Sequence, residues 1–289
     1  ITRFMGIFRF SNCKSREKIR HLAAQKEMDP QLLQRAFVME QFLFLLGLTK
    51  HKDNFIIKGG FLIRSLLGVE KRTTMDIDTT VKGFTLNREN LAAIFNEICS
   101  ANTFEGISFR VEKIEEIREE DDYPGFRVSM IATIQTMGVP FKVDLTTGDA
   151  ITPKEELTKY TSILDDKEIE LWSYPIETVL AEKLQTVLYR TTLSTRARDY
   201  YDIHMLYLLK KDEINWKALN ESLQATMIKR ETVDLLDDYS SVLMLIEADD
   251  NLQKLWIRYQ DKNSYVGNIS FNETIQSVKA VLDRIILSV

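Results

Sequence analysis

The chain is poor in cysteine and histidine, and each shortage excludes a class of site. Its two cysteines, Cys13 and Cys99, cannot supply a disulfide framework, so a reducing cytoplasm is the expected setting. Neither cysteine has a histidine at metal-ligand spacing, which argues against thiolate zinc. The three histidines, His21, His51 and His204, are scattered along the chain and indicate no catalytic triad, and His204 is expected to be structural.

Long apolar runs and a basic charge excess are also missing. No run approaches the ~20 residues of a membrane helix, and the longest, within 42–48, is expected to be a core helix segment. The net charge of −5 gives no overall attraction for nucleic acid, so any RNA contact needs a local basic patch. A hydrophobic share of 44% over 289 residues is enough for one large or two medium domains.

The pattern of the sequence changes near residue 172. Before it, helical periods alternate with strand-like runs, and after it every segment is helical. We therefore expect an α+β protein with a mixed-sheet domain at 1–172, N-terminal helices included, and a helical domain at 173–289. The predicted strands are 55–57, 75–82, 107–117, 125–135 and 139–145, with a hairpin turn at Met137–Gly138 and a connector around 153–167. The predicted later helices are 175–190, 197–209, 215–226, 231–247, 250–260 and 271–286.

Two aspartates, Asp76 and Asp78, lie two apart in a predicted strand. Because side chains alternate along a strand, both point to one face, where two ionised carboxylates repel each other. A divalent cation removes that repulsion, and Mg²⁺ prefers carboxylates together with phosphate oxygens. The alternative is an ordinary polar strand face, although aspartate is disfavoured in strands.

A glycine pair, Gly59–Gly60, precedes a predicted short helix. Glycines let a backbone approach a phosphate, and the N-terminus of the following helix favours negative charge. The alternative is a tight strand-to-helix turn with no ligand.

A third carboxylate, Asp144, lies in a later strand. In 141–145 the apolar residues face a core and turn Asp144 the other way, where it could complete a two-metal site for phosphoryl or nucleotidyl transfer. The alternative is a charge pair with Lys142 or Arg127. Asp149, next to a glycine, is expected to cap a turn.

The helical part carries its own charged set. Arg196, Asp199 and Asp202 recur on one helix face, and Lys183 on the preceding helix is flanked by leucines. Lys183 could neutralise a triphosphate, or these groups could form a salt-bridge cluster that joins two helices. Basic residues that could contact RNA are Arg190, Arg196 and Arg198, with 210–211 and 229–230.

Five blocks in this order resemble the AbiEii/AbiGii toxin family of nucleotidyltransferases. They begin at Lys58 (KGGFL), Arg72 (RTTMDID), Lys142 (KVDLTTGD), Glu177 (ETVLAEK) and Thr195 (TRARDYYD). The resemblance runs from about residue 15 to about residue 210, and 211–289 carries no matching motif. It implies a polymerase-beta-like nucleotidyltransferase domain followed by a helical bundle domain. It also implies transfer of a nucleotide from an NTP with Mg²⁺, in a toxin–antitoxin or abortive phage infection system.

The resemblance also implies roles for residues and partners. Gly59 and Gly60 match the nucleotide-binding turn, Asp76 and Asp78 match the metal carboxylates, and Asp144 matches the third carboxylate. Lys183, Asp199 and Asp202 match the two later blocks, as catalytic residues. The superfamily usually has Ser or Thr after the glycine pair, where this chain has Phe61, so Lys58, Ser65 or Arg72 are expected to contact the phosphates instead.

Three functions therefore stand as alternatives. The first is a toxin that adds nucleotides to an RNA acceptor, the 3′ end of tRNA, and is opposed by an AbiEi antitoxin through antagonism rather than a stable complex. The second is a module that binds GTP or another NTP and arrests growth without transfer, which Phe61 suggests. The third is an enzyme that nucleotidylates a protein.

Overall fold

The computed structural model describes residues 12–101, 106–117, 125–164 and 167–286, and side chains from residue 17 onward. Within these residues the chain forms two compact units. The first unit comprises residues up to 149 together with 157–173, and the second comprises 150–156 and 174–289. Predictions for the side chain of Cys13 lie outside the described residues, and Cys99 is a free thiol whose burial raises its pKa to about 11.

The first unit is built on a seven-stranded mixed sheet with the strand order β3-β4-β5-β2-β1-β7-β6. Its strands are β1 (Phe55–Lys58), β2 (Asp76–Val81), β3 (Ile107–Ile117), β4 (Gly125–Ile134), β5 (Met137–Thr146), β6 (Glu156–Thr161) and β7 (Glu168–Ser173). Its helices are α1 (Asn12–Gln25), α2 (Pro30–Gly47), α3 (Gly59–Leu67) and α4 (Arg88–Ser100). The mixed sheet predicted from the sequence is confirmed.

One face of this sheet is buried by aromatic side chains. Phe42 of α2 contacts Phe95 of α4, Phe109 of β3 and Phe141 of β5, with ring centroids 5.6–5.9 Å apart. Alternation along the strands puts Ile77 on the covered side and turns its neighbours in β2 to the other face. The opposite face of the sheet therefore carries polar side chains of β2, among them Asp76 and Asp78.

Three local predictions about the chain were wrong. The two-residue turn between β4 and β5 is Gln135–Thr136, because Ile134 pairs with Met137 and Gln135 adopts a positive φ of 57°. The expected connector at 153–167 contains β6, a short edge strand whose polar side chains hide its strand pattern. The helix predicted at 231–247 begins only at Tyr239, after a 3₁₀ turn, since Glu231 has a φ of 53° that breaks the helix.

The second unit is helical. Its helices are α5 (Ile176–Arg190), α6 (Ala197–Lys210), α7 (Trp216–Lys229), α8 (Tyr239–Ala248), α9 (Asp250–Lys262) and α10 (Phe271–Ile286). The Thr152 carbonyl accepts hydrogen bonds from Thr178 Oγ1 and Ser222 Oγ, which ties the segment 150–156 to this unit. Among the described helices, none is long and apolar enough to cross a lipid bilayer. That the six helices form a bundle domain stays a prediction.

Candidate active site

The three predicted metal carboxylates meet on the open face of the sheet. Strands β2 and β5 pair in parallel, with Asp78 opposite Asp144 and Asp76 opposite Lys142. One carboxylate oxygen each from Asp76, Asp78 and Asp144 lies within 4.8 Å of the other two. All three side chains are half-buried. The sequence predicted this convergence, because both strands turn their acidic residues away from the apolar core.

This acidic triad fits a divalent cation. Its donors are all oxygen atoms, which suits Mg²⁺. Burial, followed by the neighbouring charges of Asp76 and Asp144, raises the pKa of Asp78, while the Gly60 N–H and Lys58 act in the opposite direction. A cation bound between these carboxylates would favour their ionised forms. Asp76, Asp78 and Asp144 are thus the residues that would hold the metal.

The glycine turn lies against the triad. Gly59 has a φ of 61°, and a Cβ added there would lie 2.7 Å from the Asp78 Cγ. The Gly60 N–H donates a hydrogen bond of 3.2 Å to Asp78 Oδ2 at the start of α3. Any side chain at Gly59 would therefore displace the Asp78 carboxylate, which explains why this position requires glycine.

An arginine that the sequence offered only as an alternative partner holds the third carboxylate. Arg127 of β4 lies directly across from Asp144. Its Nε and Nη2 donate to the two Asp144 oxygens at 2.8 and 2.7 Å, in a bidentate pair. Asp144 is consequently both a member of the triad and the partner of Arg127.

A second charged cluster lies within the second unit. Lys183 of α5 contacts Asp199 Oδ1 at 2.6 Å and Asp202 Oδ2 at 2.8 Å, both on α6. The exposed fraction of these side chains is 13% for Lys183, 6% for Asp199 and 0% for Asp202. Burial alone would lower the pKa of Lys183, but the two carboxylates outweigh it and the pKa is raised. The contacts match the salt-bridge cluster that the sequence left as an alternative.

Comparison with known proteins identifies the family of this chain. The sequence matches the family described as nucleotidyl transferase AbiEii toxin, type IV TA system, over residues 41–284. The chain belongs to the AbiEii toxin family. The resemblance noted in its sequence blocks is thereby confirmed, and membership of a type IV toxin–antitoxin family implies an NTP substrate and an antitoxin partner.

Two solved structures share the fold of this AbiEii-family chain. One is JHP933 from Helicobacter pylori, with 18% identity and a TM-score of 0.52 over 90% of this chain and 94% of that one. The other is a candidate nucleotidyltransferase from H. pylori, with 17% identity and a TM-score of 0.51 over 90% of this chain and 97% of that one. No curated protein matches the sequence significantly.

The predicted phosphate contacts of the AbiEii-family chain fall in different places. Arg72 is buried beside the glycine turn, with Nη2 3.5 Å from where a Cβ of Gly60 would lie. Ser65 is exposed on α3, and its Oγ donates to the Leu62 carbonyl. Lys58 is buried, and its ammonium donates to Thr146 Oγ1 and Asp149 Oδ2. That these side chains bind nucleotide stays a prediction.

Phe61, which replaces the usual hydroxyl residue, belongs to the core. Its side chain is 1% exposed, its ring lies 5.8 Å from that of Tyr160, and the Arg64 guanidinium stacks 4.4 Å above it. With Ser65, these groups line a cavity of about 190 Å³ in the first unit. The apolar side chain is therefore explained by packing against β6, a strand that the sequence did not reveal.

The remaining predicted residues lie in the second unit. Arg190 ends α5, Arg196 precedes α6, and Arg198 is exposed on its first turn. His204 is buried, and its Nδ1 contacts Ser277 Oγ at 2.8 Å, as expected for a structural histidine. The three arginines remain predicted RNA contacts.

Two groups near the triad were missed or misread in the sequence. Thr74 Oγ1 donates to Asp76 Oδ1 at 2.8 Å and fixes that carboxylate from the loop before β2. Asp149 was expected to cap a turn, but its Oδ2 instead accepts from Lys58, Thr80 and Thr146. The alternation of polar residues in β2 and β5 was visible in the sequence. The contacts of Thr80 and Thr146 with Asp149 depend on the fold and could not be predicted.

Proposed function

We propose that this AbiEii-family chain moves a nucleoside monophosphate from an NTP to an RNA acceptor, the 3′ end of tRNA, with Mg²⁺. The observation that carries the proposal is the acidic triad beside the glycine turn. A cluster of three carboxylates and a glycine turn whose Gly60 N–H donates to one of them are two parts that suit a metal-bound triphosphate.

The residues of the first unit take distinct roles in this proposal. Asp76 and Asp78 would hold the metal, and Asp144 would support a second metal or accept the proton of the attacking hydroxyl. Bound Mg²⁺ supplies charge neutralisation for the phosphates. Gly59 and Gly60 let the triphosphate approach the backbone, and Arg72 beside them offers positive charge.

The family resemblance also assigns roles to residues of the second unit. Lys183, Asp199 and Asp202 match the two later blocks of the family, and we propose them as further catalytic residues, with the Lys183 ammonium bound by both carboxylates. Arg190, Arg196 and Arg198 contact RNA phosphates, so we expect RNA binding to weaken as salt concentration rises. As a family toxin, the protein would stop growth by blocking tRNA ends in the cytoplasm, and the antitoxin would oppose this effect without a stable complex.

The test is to incubate the protein and Mg²⁺ with each labelled NTP and total tRNA. We expect label on tRNA, and a loss of about 100-fold or more in Asp76→Asn, because metal contacts supply several kcal/mol at 1.4 kcal/mol per tenfold. The matched control is Glu40→Gln, which disturbs the buried Glu40–Arg64 ion pair elsewhere in the same unit and should retain activity. Equal labelling by wild type and Asp76→Asn would overturn the proposal.

The observation that favours the second candidate is Phe61, which removes a hydroxyl from the phosphate loop. If calorimetry detects NTP binding but no RNA class is labelled, the chain is an NTP-binding module. Label on cellular protein instead of RNA would indicate protein nucleotidylation. Sequencing of tRNA 3′ ends after induction then identifies the nucleotide and the acceptor.

A further inference from the structure

A second polar cluster adjoins the acidic triad, one step further along the same strands. We name it the Asp149 cluster, and it consists of Lys58, Thr80, Thr146 and Asp149. Thr80 follows Asp78 by two residues and Thr146 follows Asp144 by two, so alternation keeps both threonines on the face of the triad. Their hydroxyls donate to Asp149 Oδ2 at 2.6 and 2.7 Å.

Lys58 is placed between two carboxylates. In the antiparallel pairing of β1 and β2, Lys58 is the direct partner of Asp78. Side chains of such partners share one face, with Cβ atoms about 4.5–5.5 Å apart, so the ammonium can reach Asp78. The ammonium donates hydrogen bonds to Asp149 Oδ2 at 2.5 Å and to Thr146 Oγ1 at 2.7 Å.

We propose that Asp149 is a positioning residue for the metal site, which retains the Lys58 ammonium and thereby leaves the Asp78 carboxylate available to the metal. A lysine ammonium and a divalent cation compete for the same carboxylate oxygens. Asp149 removes the competitor that the strand register places next to Asp78. The inference rests on the proposed function only in that the triad binds a divalent cation.

The environment of Asp149 makes it the stronger partner for Lys58. Burial would raise the pKa of Asp149, but Lys58 and the hydroxyls of Thr80 and Thr146 outweigh it and hold the pKa well below its usual range. Asp78 Oδ2, in contrast, accepts a hydrogen bond from the Gly60 N–H, and the Asp78 carboxylate lies beside those of Asp76 and Asp144. Three donors thus converge on Asp149 Oδ2, and one of them is the Lys58 ammonium.

The same bonds give Lys58 a new role. The sequence suggested that Lys58 contacts the triphosphate, whereas here it serves as the internal counter-ion of Asp149. Buried ion pairs add little stability compared with apolar residues of similar volume, so their value often lies in geometry. In this chain the Lys58–Asp149 pair connects β1, β2 and β5, the strands that carry the glycine turn and the triad.

The experiment measures Mn²⁺ binding to the full chain without nucleotide, by calorimetry and by the electron paramagnetic resonance of free Mn²⁺. We expect Asp149→Asn to weaken binding about tenfold, as is usual when a group that orients a metal ligand is lost. In a Lys58→Met background the same substitution should change the affinity little, because the competing ammonium is gone. The double variant should therefore bind Mn²⁺ nearly as well as Lys58→Met alone.

A purely electrostatic role for Asp149 predicts a different result from this double-mutant cycle of Asp149→Asn and Lys58→Met. Loss of one nearby negative charge would weaken Mn²⁺ binding by the same factor with and without Lys58, and such additivity would overturn the inference. An Asp149→Asn variant with unchanged Mn²⁺ affinity would also overturn it. Glu40→Gln is the matched control, since it disrupts another buried ion pair of this unit and should leave the affinity unchanged.

Two further variants separate failure to fold from failure of the idea. If Asp149→Asn does not fold, Thr80→Val and Thr146→Val each remove one hydroxyl from Asp149 Oδ2, and we expect a smaller weakening that Lys58→Met abolishes. If wild type binds no Mn²⁺, both this inference and the proposed function fail. If wild type binds Mn²⁺ but labels no RNA, the proposed transfer fails while the Asp149 cycle still decides this inference.

Discussion

The two carboxylate clusters of this chain have opposite charge balances. In the first unit, Asp76, Asp78 and Asp144 converge, and the bidentate partner Arg127 is held by Asp144. In the second unit, Lys183 lies between Asp199 and Asp202, and all three side chains are almost fully buried. The first cluster leaves charge for a cation from solution, whereas the second carries its own cation.

One chain can thus use clustered acidic residues in two ways, in an open cluster and in a cluster that contains its own lysine. The geometry of the half-buried cluster is maintained by neighbours such as Gly60 and Thr74, which donate hydrogen bonds to Asp78 and Asp76. A buried and compensated cluster is stable without a ligand and resists change. The predictions below perturb the two clusters and their neighbours separately.

The largest effect on stability is expected from the second cluster. Lys183→Met leaves two buried carboxylates without their cation, and we expect a loss of about 3–5 kcal/mol in the free energy of unfolding. Lys217→Met is the control, since its pair with Glu221 is exposed and should contribute less than about 1 kcal/mol. Urea titration measures both, and equal losses would mean that the second cluster does not stabilise its unit.

Metal should stabilise the first cluster alone. At 100 times its dissociation constant, Mg²⁺ should add about 2.7 kcal/mol to the free energy of unfolding, and chelation should remove it. Asp78→Asn should lose this gain yet be no less stable than wild type without metal, because burial and Asp76 already oppose its charge. A Mg²⁺ effect that survives Asp78→Asn would place the metal elsewhere.

Gly59→Ala should damage both stability and metal binding. A left-handed φ costs an alanine about 1–2 kcal/mol, and the new Cβ would also displace Asp78. Gly267→Ala is a close control, because Gly267 has a φ of 59° with nothing within 4 Å of an added Cβ. Thermal unfolding should show a loss in both variants, and Mn²⁺ calorimetry should show weakening in Gly59→Ala only.

The smallest effect concerns stability in acid. The folded-state pKa of Asp149 is lowered, so its contribution is present above the unfolded pKa of about 4 and is lost as pH falls toward the folded pKa. As pH falls below about 4, the unfolding free energy of wild type should therefore decrease more steeply than that of Asp149→Asn. Parallel curves in urea titrations across this range would contradict the assignment.

The sequence predicted the acidic residues of the site better than the neighbouring residues that hold them in place. Alternation within β2 and β5 was enough to turn Asp76, Asp78 and Asp144 to one face, and the glycine pair marked the turn beside them. Arg127 could be offered only as one of two possible partners, because the choice depends on the β4–β5 register. That register shifts with the turn, and the turn lies at Gln135–Thr136 rather than at the predicted position.

The Asp149 cluster and the packing of Phe61 were beyond prediction for a related reason. Both depend on residues that are distant along the chain, Lys58 with Asp149 and Phe61 with Tyr160. Such contacts follow from strand order, and β6 could not be recognised because an edge strand with polar side chains lacks a hydrophobic pattern.

The parallel pairing of Asp78 with Asp144 also sets the order of events during synthesis. The two partners are 66 residues apart (144 − 78), and β5 cannot join β2 until it has left the ribosome. At about 5–20 residues per second, β5 follows β2 by about 3–13 seconds. For that interval a nascent chain holds the paired aspartates of β2 without the third carboxylate. The assembled triad therefore cannot form on the growing chain before β5 has been made.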